Sequence, residues 1–228
     1  MKIGIILTPD ERSKAYLSKI ISNKINLDKI IFMNDNSNKE FSEQISRISK
    51  NYGFEISKSV KEILIENELD FNEFNFIDIN SKKLIDFLKT LELDYIIFTG
   101  GGILRSEILN INSKFVHFHP GITPFYKGST CFYYSILNEN KCGVTAFIMD
   151  EKLDTGEIIC QKEFSKPNHE FIDDVYDPHI RSELLIELFK KRFLENHFEE
   201  NKLNEGETFY VIHPILKHIA IQNCIKKY

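Results

Sequence analysis

Short apolar runs alternate with amphipathic segments through the first hundred residues, and this alternation is the feature that most limits the fold. Continuous apolar runs are typical of strands that are buried on both faces of a parallel sheet. Apolar residues that recur every three or four positions predict the helices between them. The predicted strands are 2–7, 29–33, 76–79 and 94–99, and the predicted helices cover 15–25, 41–48 and 84–91. Strands that alternate with helices favour an α/β fold with a doubly wound, mostly parallel sheet.

The remainder of the chain predicts two further strands, a helical segment and a tail. The strands are 144–149 and 157–160, and the helical segment runs from 172 to 194. Residues 197–207 are polar and acidic, as in a surface connection, whereas the apolar tail 209–223 is expected to pack back on the body. The 228 residues are about one and a half times an average domain. We expect one domain over 1–200 and a short helical extension over 201–228.

The composition argues against several classes of protein. The net charge of −5, from 29 basic and 34 acidic residues, disfavours a nucleic-acid partner. No apolar run approaches the length of a membrane span, and the first run is too short for the core of a signal peptide. The cysteines, Cys131, Cys142, Cys160 and Cys224, form no CxxC pair and have no metal-ligand spacing with the histidines. We therefore expect a cytoplasmic protein with reduced thiols and no bound metal.

Three segments are predicted to meet at one edge of the sheet. In doubly wound sheets, ligands bind beyond the carboxyl ends of the strands. The triple glycine 100–102, the segment 115–128 and the loop 149–156 each follow or end a predicted strand. We therefore expect the functional residues to come from these three segments.

Two histidines end the strand-like part of the segment FVHFHPGITPFYKG. His117 and His119 are two residues apart, so their side chains point to the same side of a strand. Both rings need polar partners, which makes them unfavourable in an apolar core. Two interpretations compete with a catalytic pair. One is a pair of hydrogen-bonded surface histidines, and the other is a zinc site, for which the spacing supplies no obvious third ligand.

A carboxylate stands out in the segment MDEKLDTGEII. Asp154 lies in a Leu-Asp-Thr-Gly turn, where an acidic side chain often serves only local backbone hydrogen bonds. The alternative is that this carboxylate pairs with a histidine, orienting and charging the imidazole. Such a pair would handle protons near neutral pH.

Taken together, these segments resemble the folate-dependent formyltransferase family. The family signature reads Asn-x-His-Pro, then a loop ending in Tyr-Arg-Gly, then Leu-Asp-x-Gly further along the chain. This chain has His-Phe-His-Pro at 117–120, Phe-Tyr-Lys-Gly at 125–128 and Leu-Asp-Thr-Gly at 153–156. The resemblance covers residues 95–163, in the catalytic domain shared by methionyl-tRNA and glycinamide ribonucleotide formyltransferases. The chain looks most like the sugar N-formyltransferases.

The resemblance implies a Rossmann-like fold and transfer of a formyl group from N10-formyltetrahydrofolate to an amine, without a covalent enzyme intermediate. It assigns oxyanion stabilisation to His117 and His119, and movement of the amine proton to Asp154. His117 replaces the family's asparagine, and loss of such an oxyanion donor typically costs about 100- to 1000-fold in rate. The implied folate-binding residues are Gly100, Gly101, Gly102, Ile103, Leu104, Asp150 and Leu153.

The accepting amine is expected to belong to a nucleotide-linked amino sugar. The residues after Asp154 are largely helical and acidic, unlike the basic barrel with which methionyl-tRNA formyltransferases hold tRNA. Asp10 and Glu11 stand where the glycinamide ribonucleotide enzyme binds phosphate at a helix N-terminus. The finer match is to enzymes that act on UDP-linked 4-amino-4,6-dideoxy sugars of pseudaminic-acid-type pathways, in surface polysaccharide biosynthesis. The implied acceptor contacts are Tyr126, Lys127, Tyr176, Asp177 and Arg181.

Arg181 could bind a diphosphate through two hydrogen bonds, and the alternative is an ion-paired residue of a helix. Other functions also stay open at this point. They are a methionyl-tRNA formyltransferase-like enzyme, a non-catalytic module that binds folate or a nucleotide sugar, and a zinc hydrolase that chelators would inactivate. The apolar tail also leaves a homodimer open.

Overall fold

The computed structural model describes residues 1–37, 39–76, 78–100, 102–202 and 206–225. Its contacts divide the chain into two compact units. Unit 1 comprises residues 1–117 and 148–151, and unit 2 comprises 118–147 and 152–228. The division of the sequence into 1–200 and 201–228 stays a prediction.

Unit 1 follows the predicted alternation of strands and helices. Its elements are β1 (Ile3–Leu7), α1 (Glu11–Ser22), β2 (Lys29–Met33), α2 (Glu43–Asn51), α3 (Val60–Glu66), β3 (Asn72–Phe74), α4 (Lys82–Lys89), β4 (Tyr95–Phe98) and α5 (Ser106–Leu109), followed by β5 (Lys114–His119). The side chains of Asp10, Ser42, Ser59 and Ser81 each accept a backbone N–H at the start of a helix. Such caps satisfy donors that the helix itself leaves without a partner, so local sequence sets where these helices begin.

Unit 2 begins within β5 and contains most of the later elements. They are β6 (Tyr126–Gly128), α6 (Cys131–Glu139), β7 (Lys141–Ile148), β8 (Ile158–Ser165), α7 (Asp177–Lys190), β9 (Glu207–Phe209) and α8 (Pro214–Ile225). The helix predicted over 172–194 starts with a π-helical turn at Ile172–Tyr176, and its α-helical part ends at Lys190. No helix in the described ranges is long and apolar enough to cross a membrane.

Seven strands form one sheet in the order β3-β2-β1-β4-β5-β7-β8, and β5 belongs to both units. β1 pairs in parallel with β2 and β4, β2 with β3, and β4 with β5. β7 and β8 are antiparallel. The prediction of an α/β fold with a mostly parallel sheet is therefore confirmed. The strand order reverses at β1, which makes the carboxyl ends of β1 and β4 the switch point of unit 1.

The strand predicted at 76–79 is wrong. The strand lies earlier, in β3, where Asn72 and Phe74 pair with β2. Ile79 is 4% exposed and packs in the core of unit 1 with Phe74 and Leu84. The apolar pattern of this stretch therefore reflects core packing and not strand pairing; residue 77 lies outside the described part of the chain.

The C-terminal tail buries only part of its apolar surface. Ile212, Ala220 and Cys224 are buried. Exposed apolar side chains follow along the same stretch: Tyr210, Val211, Ile215, Leu216 and Ile219. The packing of this tail on the body of the protein stays a prediction. A homodimer stays a prediction.

Candidate active site

His119 is the last residue of β5 and is only 2% exposed. Its Nε2 atom lies 2.9 Å from the backbone oxygen of Tyr126. Its Nδ1 atom lies 3.3 Å from Oδ2 of Asp154. A carbonyl oxygen can only accept a hydrogen bond, so Nε2 carries a proton and donates it. The histidine and the carboxylate that the sequence singled out are therefore direct neighbours inside unit 2.

Asp154 is held in a backbone conformation that few residues other than glycine adopt, with φ of +53°. Its Oδ2 atom accepts a hydrogen bond from the backbone N–H of Gly128 at 2.7 Å. Its backbone oxygen accepts a hydrogen bond from Nδ2 of Asn201 at 3.1 Å. Two segments that are distant in sequence thus fix both the side chain and the backbone of Asp154.

Asn201 is a site residue that the sequence did not reveal. It lies in the stretch 197–207, for which the composition predicted a surface connection, yet it is 4% exposed. Its Nδ2 atom also lies 3.3 Å from the backbone oxygen of Gly156, so it spans the turn that follows Asp154. No local signal announces this role, because an asparagine in a polar stretch is typical of a surface loop.

The turn that follows His119 is fastened by polar side chains of the β7–β8 hairpin. Oγ1 of Thr145 donates to the backbone oxygen of Gly121 at 2.7 Å and accepts from the N–H of Thr123 at 3.1 Å. Nε2 of Gln161 donates to the backbone oxygen of Thr123 at 2.6 Å. A Cβ atom on Gly121 would lie 2.8 Å from Nε2 of His119, so glycine is needed where this turn passes the ring.

The electrostatics of His119 and Asp154 suit the handling of one proton. Burial lowers the pKa of His119, the charges of Asp154 and Asp177 oppose that effect, and Arg181 reinforces it. A neutral ring with its proton on Nε2 directs the Nδ1 lone pair at the carboxylate of Asp154. The lone pair and the negative carboxylate repel each other. A proton placed between Nδ1 and Oδ2 replaces this repulsion with a hydrogen bond, so the pair can take up a proton and release it.

His117 belongs to unit 1, where it is half-buried on β5. Its Nδ1 atom lies 3.3 Å from the backbone oxygen of Phe98, the last residue of β4. Because that oxygen only accepts, Nδ1 is the donor in this contact. The neutral ring then carries no proton on Nε2, and only the charged ring would offer a second N–H.

The segment that bears these histidines is also the part of the chain that matches known proteins. Residues 17–183 match a family model described as Formyl transferase. The chain belongs to the formyl transferase family. A methionyl-tRNA formyltransferase from a Nitratiruptor species is 32% identical over 170 residues, which are 74% of this chain and 51% of that protein. This formyl transferase chain spans about half the length of the curated relatives it matches.

Solved structures share the fold over nearly the whole formyl transferase chain. An N-formyltransferase from Helicobacter canadensis, in complex with folinic acid and dTDP-3-aminofucose, has a TM-score of 0.64 at 18% identity. The match covers 99% of this chain and 81% of that one. A 4-N formyltransferase from Francisella tularensis has a TM-score of 0.59 at 18% identity, with coverage of 98% and 87%. At these identities the likeness concerns the fold.

The residues that the resemblance assigned to folate lie in different surroundings in the structure. Gly100 needs to be glycine, because a Cβ there would lie 2.5 Å from the ring of Phe98. Gly102 has φ of +112° and faces open space, and Ile103 is 70% exposed. Leu104 is 2% exposed in the core of unit 1, and Gly101 lies outside the described residues.

The other two predicted folate residues lie in the loop after β7. Asp150, in unit 1, lines a cavity of about 440 Å³ bordered by residues 109–115 and 148–151. Leu153, in unit 2, is 54% exposed. Exposed or cavity-lining side chains are therefore present among the predicted folate residues, and their binding role stays a prediction.

The predicted acceptor residues have partners inside unit 2. The ring of Tyr126 stacks on Phe209 at 5.4 Å, and its hydroxyl donates to Glu139. The hydroxyl of Tyr176 donates to the backbone oxygen of Ser165. Lys127 is only 6% exposed on β6. Asp177 and Arg181 form an ion pair on α7, with Nε 2.9 Å from Oδ1.

The described residues of the chain contain no group of three or more histidine, cysteine or acidic side chains placed to hold one metal ion. The four cysteines are free and buried. Burial raises the pKa of Cys131, Cys142 and Cys160 to about 12. Such thiols stay protonated and are poor nucleophiles, which argues against a cysteine-based covalent mechanism.

Proposed function

We propose that this chain transfers a formyl group from N10-formyltetrahydrofolate to the amino group of a nucleotide-linked amino sugar. The observation that supports the chemistry is the buried contact of 3.3 Å between His119 and Asp154 in a member of the formyl transferase family. Formyl transfer needs a group that accepts the proton of the attacking amine and returns it to the leaving nitrogen. A histidine paired with a carboxylate suits that task.

The formyl donor fits the surface that the chain offers. A reduced folate presents a flat aromatic system that needs apolar contact and a few polar partners. In unit 1, Ile103 exposes a large apolar side chain, and Asp150 places a carboxylate at a cavity. The bound donor would supply the formyl carbon. These residues would orient it.

The solved structures that share the fold support a sugar acceptor over a tRNA. The N-formyltransferases from Helicobacter canadensis and Francisella tularensis match 99% and 98% of this chain. One of these neighbours was crystallised with a nucleotide-linked amino sugar, dTDP-3-aminofucose. The net charge of −5 also disfavours a large polyanion as the partner. The 4-amino-4,6-dideoxy sugars are the narrower candidates within this class.

The start of α1 disfavours a phosphate-bearing acceptor at that position. The carboxylate of Asp10 accepts hydrogen bonds from the N–H of Ser13, from the hydroxyl of Thr8 and from Arg12. The anion-binding position of this helix is therefore filled by the protein's own carboxylate. A ribonucleotide phosphate bound there would face a like charge.

In the proposed reaction the neutral amine attacks the formyl carbon directly. The N–H of His117 stabilises the oxygen that becomes negative, which requires the charged ring if Nδ1 stays bonded to Phe98. Asp154, directly or through a water molecule, takes the amine proton and returns it to the leaving nitrogen. No residue forms a covalent bond to the substrate.

The test is a transfer assay followed by mass spectrometry. The protein is mixed with N10-formyltetrahydrofolate and a panel of UDP- and dTDP-linked 3-amino and 4-amino sugars, with methionyl-tRNA as a further acceptor. We expect a gain of one carbonyl group on at least one amino sugar, insensitive to chelators. Formylation of methionyl-tRNA alone would contradict the proposed acceptor. Binding of folate or sugar with no mass gain across the panel would instead identify a binding module.

A further inference from the structure

Arg181 is a charged side chain buried beside the catalytic strand. It lies on α7 and is 7% exposed. Its Nη1 atom donates to the backbone oxygen of Phe118 at 2.5 Å, and its Nε atom donates to Oδ1 of Asp177 at 2.9 Å. Burial of a guanidinium is costly unless its hydrogen bonds are made, so this arrangement needs both partners.

The bond to Phe118 acts on the backbone that presents His119. The oxygen of Phe118 belongs to the peptide group whose nitrogen is that of His119. That peptide group is planar, so a hydrogen bond that holds its oxygen also holds the Cα atom of His119 in place. The planar fork of an arginine sets the position of an acceptor more tightly than a flexible lysine does. Asp177 in turn holds the guanidinium from one turn earlier on α7.

We propose that Arg181 is a positioning residue of the active site: anchored by Asp177, it holds the peptide from which His119 projects. This inference rests on the proposed function and assigns Arg181 a role different from that of a diphosphate clamp. A clamp would present its guanidinium to the acceptor, whereas here Nε and Nη1 both bind protein groups.

The charges around His119 give this role a measurable signature. Burial is the largest cause of the lowered pKa of His119, Arg181 lowers it further, and Asp154 and Asp177 raise it. The hydroxyl of Tyr126 and the thiol of Cys131 stay neutral, because burial raises the pKa of each to about 12. Removal of Arg181 alone should therefore raise the pKa of His119.

The experiment compares four variants with the wild-type protein. Arg181→Met removes the anchor and its charge. Arg181→Lys keeps the charge on a flexible stem. The double variant Arg181→Met with Asp177→Asn removes the anchor and both charges. Arg192→Met changes an arginine whose side chain is 74% exposed, and it serves as the control. Each variant is checked for folding by circular dichroism and thermal melting.

Two measurements are made on each variant: kcat and KM of formyl transfer, and the titration of the His119 ring by NMR without substrate. We expect Arg181→Met to lower kcat about 10- to 100-fold, the scale of a small misplacement of a catalytic group. KM for the acceptor should stay within about twofold of wild type, since a positioning residue does not touch the acceptor. The titration midpoint of His119 should rise. Arg181→Lys should recover part of kcat, and Arg192→Met should change neither measurement.

The double variant separates position from charge. Its His119 midpoint should lie closer to that of wild type, because the positive and the negative charge are lost together, while kcat stays low. It also covers the case in which Arg181→Met does not fold, since a buried charge left alone is more destabilising than a pair removed together.

Two outcomes would overturn the proposal. One is a raised KM with unchanged kcat, which is the result expected of a diphosphate clamp. The other is a folded Arg181→Met protein with wild-type kcat and an unchanged titration of His119. If the wild-type chain transfers no formyl group to any acceptor, the proposed function fails, and the NMR titration still tests the contact between Arg181 and the backbone of His119.

Discussion

Nδ1 of His119 and Oδ2 of Asp154 lie 3.3 Å apart, with both residues less than one-tenth exposed. His119 ends β5, and Asp154 lies in the loop between β7 and β8. The contact exists because the backbone of Asp154 turns into the left-handed region and because Gly128 holds its carboxylate.

Asp154→Asn should abolish most formyl transfer with little change in stability. Asparagine tolerates the left-handed backbone and can still accept the N–H of Gly128, so the fold is kept while the negative charge is lost. We expect kcat to fall about 100- to 10,000-fold, the usual size of a general acid–base contribution. Asp70→Asn, at a side chain that is 96% exposed, is the control for both activity and thermal melting. Unchanged turnover in folded Asp154→Asn would show that proton transfer does not use this carboxylate.

His117→Asn should keep activity, and His117→Ala should lose it. An asparagine amide donates a hydrogen bond whatever the pH, whereas a ring whose Nδ1 is bonded to Phe98 needs a second proton to do so on Nε2. We expect the alanine variant to lose about 100- to 1000-fold in kcat. The asparagine variant should keep kcat within about tenfold of the wild-type value. His197→Asn is the exposed control, and full activity in His117→Ala would remove this residue from the mechanism.

The free energy of unfolding should fall as the pH is lowered through the range below 6.5. Burial lowers the pKa of His119 below its usual value of 6.5, so in this range the unfolded chain binds a proton that the folded chain does not. Each pKa unit of this lowering contributes about 1.4 kcal/mol to the free energy of unfolding. That contribution is present above pH 6.5 and is lost as the pH falls toward the folded-state pKa of His119.

Urea unfolding at pH 7.5 and pH 5 measures this effect. His119→Gln, which can still donate to the backbone oxygen of Tyr126, should lose less stability on acidification than the wild-type protein. His197→Gln, at an exposed site, should behave like wild type. An equal loss in His119→Gln and wild type would mean that His119 is not held in its neutral form.

Gly128→Ala should be far more damaging than Gly102→Ala. Both glycines have positive φ, +102° and +112°, so an alanine is strained at either position by about 1–2 kcal/mol. A Cβ on Gly128 would also overlap the backbone oxygen of Phe209, whereas nothing lies within 4 Å of a Cβ on Gly102. We expect Gly128→Ala to lose about 3 kcal/mol or more of unfolding free energy in urea titrations. Equal losses in the two variants would show that β9 moves aside without cost.

Much of the fold could be predicted because its information is local. Side-chain spacing reports on a window of a few positions. It placed β1, β2 and β4 close to their observed bounds. The error at β3 has the same origin, because Phe76 and Ile79 look like a strand locally and are apolar for a tertiary reason. Similarly, the composition of 197–207 could not show that Asn201 is buried against the turn after Asp154.

By itself, the sequence determined the alternation of strands and helices in the first part of the chain, the mostly parallel sheet and the pair of residues, His119 and Asp154, in which the chemistry was expected. Only the tertiary structure decided what holds that pair. Gly128 is 26 residues from Asp154, and Arg181 is 63 residues from Phe118. The reason is physical: periodicity encodes which face of an element is buried, whereas the partner of a buried polar atom depends on which distant segment the fold brings within about 3 Å.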